Sequence, residues 1–381
     1  MKKEEKKHIS VYLKAGKRAA TSYYRFYQFF DKIDEDFQYH LMIPDIRWSL
    51  FMPISKQHKV KQVTIFIYIY FRVLKGLLQD YINRPSTIII SRCLINRVFP
   101  WSYKILLKCI RERGTKIIWD FDDNVIVMRE ITREGFNWLS NNVDKIVVGS
   151  PFLKEYVSKY NHCKVVYMPT TDGDIHSKFT HDIQNQRINE INTLVRIVWV
   201  GTFTGIQHVL RITAAFEKLG ESLKQQDKEL FVTIVCDYPL EYEAHSFTLC
   251  NIKWEREIAI QEILKSHIGI MPLEDNENTR GKCGFKLIQY LSAALPVVGS
   301  AVGMNKLIIN DSCGFALESL DINQWYDAMM SIIKDTNSWQ GYSLGAEKEW
   351  IRKYSYDSNL KKWRDIIPLN NRENVRNIRN N

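Results

Sequence analysis

Short apolar runs rich in β-branched residues recur along this chain, and they fall into two series. The first contains HISVYLK (8–14), STIIISR (86–92), TKIIWDF (115–121) and DKIVVGS (144–150). The second contains VRIVWVG (195–201), LFVTIVCD (230–237), NIKWE (251–255), HIGIMPL (267–273) and LPVVGS (295–300). Turns or helical segments separate the runs, with helices expected at SYYRFYQFFDKI (22–33) and at 206–219. Residues 61–82 have the β-branched and aromatic content of strand but the length of a helix, and length assigns them to helix. Strands that are apolar throughout, alternating with helices, belong in parallel sheets covered on both faces. The expected fold class is therefore α/β. With 381 residues and roughly 100–200 residues per domain, two domains are expected.

TTDGDIHSKFTHDIQNQRINEINT (170–193) is polar, lacks apolar periodicity and reads as a linker between the domains. The expected organisation is a first domain over 1–185 and a second over 190–350. A C-terminal helix at 351–368 would pack back toward the first domain, followed by a polar, disordered tail at 369–381. Ligands of open α/β sheets bind outside the carboxyl ends of the strands. Two such domains facing each other would gather those ends around one cleft.

A hydrophobic content of 45% with 25% charged residues excludes collagenous and wholly disordered chains. The net charge of +10 is unevenly spread, with +12 on residues 1–172 and −2 on the remainder. No zinc-finger, basic-zipper or RNA-recognition signature accompanies it, so a nucleic-acid partner is not expected. The first half instead suits an anionic partner, whether a phosphate-bearing substrate, a lipid head group or the acidic face of a membrane, unless the charge is simply solubilising. Seven cysteines form no CxxC and leave one over, which supports neither zinc nor a disulfide framework. MKKEEKKHISVYLK lacks the apolar run of a signal peptide, and VTIFIYIYF (63–71) is far short of the roughly 20 residues that span a bilayer. A cytoplasmic protein is expected, with peripheral attachment at the inner membrane face left open.

The most informative segment runs from 266 to 303, where a buried strand ends at Met271 and Pro272 and an acidic loop follows. Arg280, Gly281, Lys282 and Lys286 then lead into an apolar helix that stops before Pro296. Cations and glycine at a helix N-terminus favour an anion, and a diphosphate would fit; a solvated basic loop is the plainer reading. GTFTG (201–205) turns the strand before it into another helix, with a spacing that is weak as a phosphate motif by itself. GFKLIQYLSAALPVVGS (284–300) resembles the donor domain of GT-B glycosyltransferases, in particular family 4, the glycosyl transferases group 1. VRIVWVGTFTG, CGF (313–315) and KYSYD (353–357) are similar to further segments of that family.

The resemblance implies a GT-B fold of two Rossmann-like domains, the first binding the acceptor and the second a nucleotide-diphosphate sugar. It implies transfer with retention, no required metal or other cofactor, and a role in bacterial surface polysaccharide or glycolipid synthesis with a saccharide or lipid-linked acceptor. Donor contacts fall on Gly201, Thr202, Phe203, Asp237, Arg280, Gly281, Lys282, Lys286 and Gln289. The family's paired glutamates are replaced by Gly281 and Gln289, although GK-x-x-x-K-L-x-Q-Y matches a variant pattern of the same family. Lys282 is also expected to stabilise charge on the departing group.

WDFDDN (119–124) ends a strand with three carboxylates. Asp122 and Asp123 are candidates for orienting or deprotonating an acceptor hydroxyl, with helix capping as the structural option. Lys17, Arg18, Ser22, Tyr24 and Arg25 follow the first strand and are candidate acceptor contacts. Two rivals stay open: a nucleotide-sugar binding or scaffold protein without turnover, and a magnesium-dependent haloacid-dehalogenase-like phosphatase using Asp120 and Asp122. No histidine spacing or nucleophile triad points to a metal site or covalent catalysis.

Overall fold

The computed structural model describes residues 6–368 except 52, 53, 55, 56 and 161–163. The 369–381 tail and Cys163 lie outside the described residues. The chain divides into two compact units, one running to Pro169 and resuming at Asp357, the other spanning Thr170–Tyr356.

The first unit holds a six-stranded sheet whose strands are β1 (His8–Leu13), β2 (Asp36–Leu41), β3 (Thr87–Ser91), β4 (Lys116–Phe121), β5 (Lys145–Val148) and β6 (Lys164–Tyr167). Their order is β2-β1-β3-β4-β5-β6, and every pairing is parallel. β2 and β6 lie at the two edges, and sequence pattern missed both. DFQYHL in β2 is only partly buried, so it lacks the apolar run that marks the central strands. Residues 59–83 are helical throughout. Ile65, Ile69, Val73, Gly76, Leu77 and Asp80 form its buried face, and this helical spacing overrides the β-branched composition.

The second unit holds β7 (Leu194–Val200), β8 (Glu229–Val235), β9 (Thr248–Ile252), β10 (Ile268–Met271), β11 (Val297–Ser300) and β12 (Gly314–Leu317). Their order is β12-β11-β10-β7-β8-β9, again all parallel. The helix expected at 206–219 is two helices, Phe203–Leu210 and Thr213–Lys224.

The stretch read as a linker is folded into this unit. Helices occupy Gly173–Lys178 and His181–Glu190, with Asp172 and Thr180 accepting backbone N–H bonds as their N-caps. Thr171 donates to the Tyr354 carbonyl and accepts from the Trp350 indole N–H at 3.2 Å. Arg187 is buried and donates to the carbonyls of Leu264, Ala293 and Ile263 at 2.6, 2.8 and 3.1 Å. It thereby closes the C-termini of two helices, Arg256–Leu264 and Phe285–Ser292.

Thr336–Tyr354 is the last long helix of the second unit. The helix Tyr356–Ile366 follows and carries the chain back to the first unit, where Trp363 is fully buried beside Phe26 and Phe30. Its indole N–H donates to the Arg25 carbonyl at 3.0 Å.

Candidate functional site

In the second sheet β7 is flanked by β8 on one side and β10 on the other, so the connections leaving it diverge and open a crevice at its carboxyl end. β7 ends at Val200, and Thr202 serves as N-cap of Phe203–Leu210 without a side-chain hydrogen bond to that helix. The helix Phe285–Ser292 starts from Gly284, which sits at φ +70° where a Cβ would meet Ile308 at 2.3 Å. Gly284 has no side chain with which to cap the helix. Two helix N-termini thus open at strand carboxyl ends without side-chain caps, the arrangement that binds anions.

Tyr290 fixes the second helix to the strand. Its hydroxyl accepts from Val200 N–H at 3.0 Å, and its ring fills the space left by Gly269, where a Cβ would lie 2.4 Å away. Lys286 on the same helix reaches β7: its Cε is 3.0 Å from where a Gly201 Cβ would stand, and its Nζ lies 5.9 Å from the Trp199 ring. Glycine at 201 makes room chiefly for the Trp199 ring, whose Cζ2 would lie 2.4 Å from a Cβ there. Lys282 and Lys286 both bear on His208, whose pKa is depressed first by burial and then by these cations with Arg211. Nδ1 of His208 accepts from Glu274 N–H at 3.4 Å, joining the helix to the loop after β10, which the Arg211–Glu274 ion pair also holds.

The remaining expected donor residues divide. Asp237 is exposed after β8, beside Tyr238, whose ring lies 4.9 Å from Phe203. Phe203 is 62% exposed, so this pair forms an aromatic surface at the ends of β7 and β8. Arg280 is exposed and donates to Asp275 at 2.6 and 2.9 Å. Gly281 is the buried C-cap of Glu277–Arg280. Gln289 is buried and donates to Asp172 at 2.9 Å, so its amide holds the start of Gly173–Lys178 in place.

In the first unit most expected site residues are internal. Arg25 is 2% exposed, pairs with Asp120 through two guanidinium nitrogens and donates to the Met168 carbonyl at 2.8 Å. Both charges are consumed by each other, so Arg25 does not face an acceptor and Asp120 does not serve as a phosphatase nucleophile. Ser22 and Tyr24 are also buried. Lys17 pairs with Asp31 at 2.9 Å, and Arg18 is exposed. Asp122 is buried and accepts from Arg92 at 2.6 Å, while Arg92 also binds Glu130 at 2.6 Å. Burial raises the Asp122 pKa, opposed by Arg92. Asp123 keeps 27% side-chain exposure. Among the described residues no group of three or more His, Cys, Asp or Glu side chains is placed to hold a metal ion.

Residues 195–335 match the family model for glycosyl transferases group 1. This part of the chain is similar to the group 1 glycosyltransferases. The GT-B architecture also recurs in solved structures at low sequence identity. A glycosyltransferase from Rickettsia africae aligns at TM-score 0.63 and 14% identity, covering 94% of this chain and 97% of its own. Anabaena HepE, solved with UDP-glucose, aligns at 0.64 and 9%, covering 94% and 98%. Sucrose-phosphate synthase from Thermosynechococcus elongatus aligns at 0.61 and 10%, covering 95% and 98%. No curated protein sequence matches the chain. The fold is GT-B, and the enzyme class is glycosyltransferase. Within residues 195–335, Gly201, Lys282 and Lys286 lie near the carboxyl end of β7. Sequence pattern missed Tyr238 and gave no role to His208, whose place depends on the loop after β10.

Proposed function

We propose that the chain transfers a sugar from a nucleotide-diphosphate sugar to a hydroxyl acceptor, with the donor diphosphate held in the second unit. The observation that supports this most is the pair of helix N-termini at Phe203 and Phe285, with Lys286 beside Gly201 and Lys282 in the same cluster, all inside residues 195–335. Backbone N–H groups and two cations stabilise the charge that develops on the diphosphate as the sugar leaves. Phe203 and Tyr238, with Asp237, offer a stacking surface and a hydrogen-bond acceptor to the rest of the nucleotide. Gln289 acts by positioning Asp172.

In this reaction the bond from the anomeric carbon to the diphosphate oxygen breaks and a bond to the acceptor oxygen forms. The acceptor proton passes to the departing phosphate oxygen, and configuration is retained. No metal is required, because the two lysines provide the counter-charge. Asp123, the more exposed of the adjacent pair, orients the acceptor hydroxyl, and Asp122 holds Arg92. The basic first unit and the exposed apolar residues Val63, Ile67, Phe71, Leu78 and Ile82 of the helix Lys59–Asn83 suit work at an anionic membrane surface, as in bacterial polysaccharide or glycolipid synthesis.

HepE was solved with UDP-glucose, so uridine diphosphate sugars are the first donors to test. Calorimetry against UDP- and GDP-sugars is expected to show binding of one donor. Lys282→Ala is expected to lower turnover about 100-fold or more with an unchanged melting temperature. Turnover equal to wild type would take Lys282 out of the site, and failure to bind any nucleotide sugar would remove the donor reading. Binding without turnover across a broad acceptor panel would favour the second reading, a sugar-nucleotide binding protein, which the glycine in place of a carboxylate at 281 motivates.

A further inference from the structure

The first sheet has its own switch point, since β1 lies between β2 and β3. A cavity of about 800 Å³ lies there, bordered by Lys14 after β1, Met42 and Ile43 after β2, Ile95, Asn96 and Arg97 after β3, and the first turns of the helix Lys59–Asn83. That helix contributes Val63, Ile65, Phe66 and Ile69. The lining is mostly apolar, and among the described residues its charged members are three cations, Lys14, Lys59 and Arg97, without a carboxylate. Arg97 is held at φ +67°, a backbone conformation that non-glycine residues rarely adopt, and its N–H bonds the Glu130 carbonyl at 2.9 Å.

The apolar lining also continues onto the surface. Val63 and Phe66 are 58% and 38% exposed. From Val63 an apolar stripe runs along the helix through Ile67, Phe71, Leu78 and Ile82, all exposed and spaced at helical intervals. A cavity with hydrocarbon walls, a cationic margin and an apolar exit does not suit a free sugar or a free phosphate. A sugar would leave the walls unmatched, and inorganic phosphate would leave them empty.

We propose that this cavity binds the phosphate-bearing end of a long-chain lipid, with the phosphate at Lys14, Lys59 and Arg97, the first part of the chain among Ile43, Ile65, Phe66 and Ile69, and the remainder leaving along the stripe. The proposal deepens the glycosyl-transfer reading and rests on it, because it assigns the acceptor to the class of lipid phosphates or lipid diphosphates. A second copy of the chain is disfavoured as the occupant of the stripe. The charged residues of this helix are Lys59, Lys61, Arg72 and Lys75, plus a buried Asp80, and self-association across it would set like charges against each other.

The test is calorimetric titration of the full chain with octyl phosphate, decyl phosphate, decanol and inorganic phosphate, run beside a nucleotide-sugar titration. Binding of the alkyl phosphates is expected, tightening about fourfold for each added methylene while the chain is buried. Decanol and inorganic phosphate are each expected to bind at least tenfold more weakly than decyl phosphate. Lys59→Gln combined with Arg97→Gln, at exposed positions, is expected to weaken decyl phosphate about tenfold or more with melting temperature and nucleotide-sugar binding unchanged. Val63→Glu is expected to weaken it as well. Equal binding of inorganic phosphate would make this a plain anion site and overturn the lipid assignment, as would tighter binding of decanol than of decyl phosphate. Absence of alkyl phosphate binding with nucleotide-sugar binding intact would overturn the cavity proposal alone. Loss of nucleotide-sugar binding would instead count against the donor reading.

Discussion

His267 is a residue whose ionisation is coupled to folding of the second unit. It is fully buried, its Nδ1 accepts from Arg196 N–H at 2.9 Å, and its Nε2–H donates to the Arg187 carbonyl at 3.1 Å. Burial lowers its pKa from 6.5 to about 4. The neutral ring is favoured in the folded state, so its contribution is full above pH 6.5 and is lost as pH falls toward 4. That difference is worth about 3 kcal/mol. Urea unfolding followed from pH 7 to pH 4 is expected to show falling stability, with a shallower fall in His267→Gln. Parallel curves would assign the acid sensitivity to other groups. Arg25 and Asp120 make a related point about single residues. Both stand near strand ends where a functional reading was reasonable, yet they lie 95 positions apart and neutralise each other inside the first unit. Sequence spacing contains no signal for that pairing, because a buried ion pair is made by strand order and packing. The phosphatase reading and the Arg25 acceptor contact are both excluded by it.

At the scale of elements, the helix His181–Glu190 was invisible as a structural part of the second unit, because its composition is polar and its apolar periodicity is weak. It docks through Arg187, whose guanidinium is buried against three carbonyls and the Phe179 ring at 5.6 Å, with its pKa lowered by burial to about 9. Arg187→Met keeps much of the volume but leaves carbonyls without donors, and a loss of about 2–4 kcal/mol is expected from chemical denaturation. A change under 1 kcal/mol would mean that solvent replaces the guanidinium. The helix Lys59–Asn83 teaches the converse. Its buried face was recoverable from periodicity, but its exposed apolar stripe shows only in the folded unit. Phe71 is 61% exposed, so Phe71→Glu is expected to leave thermal stability unchanged and to reduce co-sedimentation with anionic vesicles. Equal sedimentation of both proteins would detach this face from membrane binding. No described helix is long and apolar enough to cross a membrane.

At the scale of the whole molecule, each unit is an α/β layer around one parallel sheet, and the chain visits the first unit twice. The return segment is anchored by Trp363, buried beside Phe26 and Phe30, and by the Asn359 side chain, which donates to the Pro169 carbonyl at 2.6 Å. Trp363→Ala is expected to cost the first unit about 3–5 kcal/mol. In differential scanning calorimetry of the full chain this would lower one transition and leave the one assigned to the second unit in place; an equal shift of both would show that the units unfold together. Sequence by itself determined the α/β class, the central strands, the long helix and the glycine-lysine pattern at the second sheet's switch point. Those features depend on local periodicity and on backbone conformations that glycine alone tolerates. Only tertiary structure decided the edge strands β2 and β6, the docked polar helices and the partners of the buried charges. Lys282 and Lys286 gather near His208 at the end of β7, and Arg25, Arg280, Asp120, Asp122 and Gln289 are held by partners within the protein. Gln289 and its partner Asp172 are 117 positions apart, and contacts over such separations are set when sheets and helices pack.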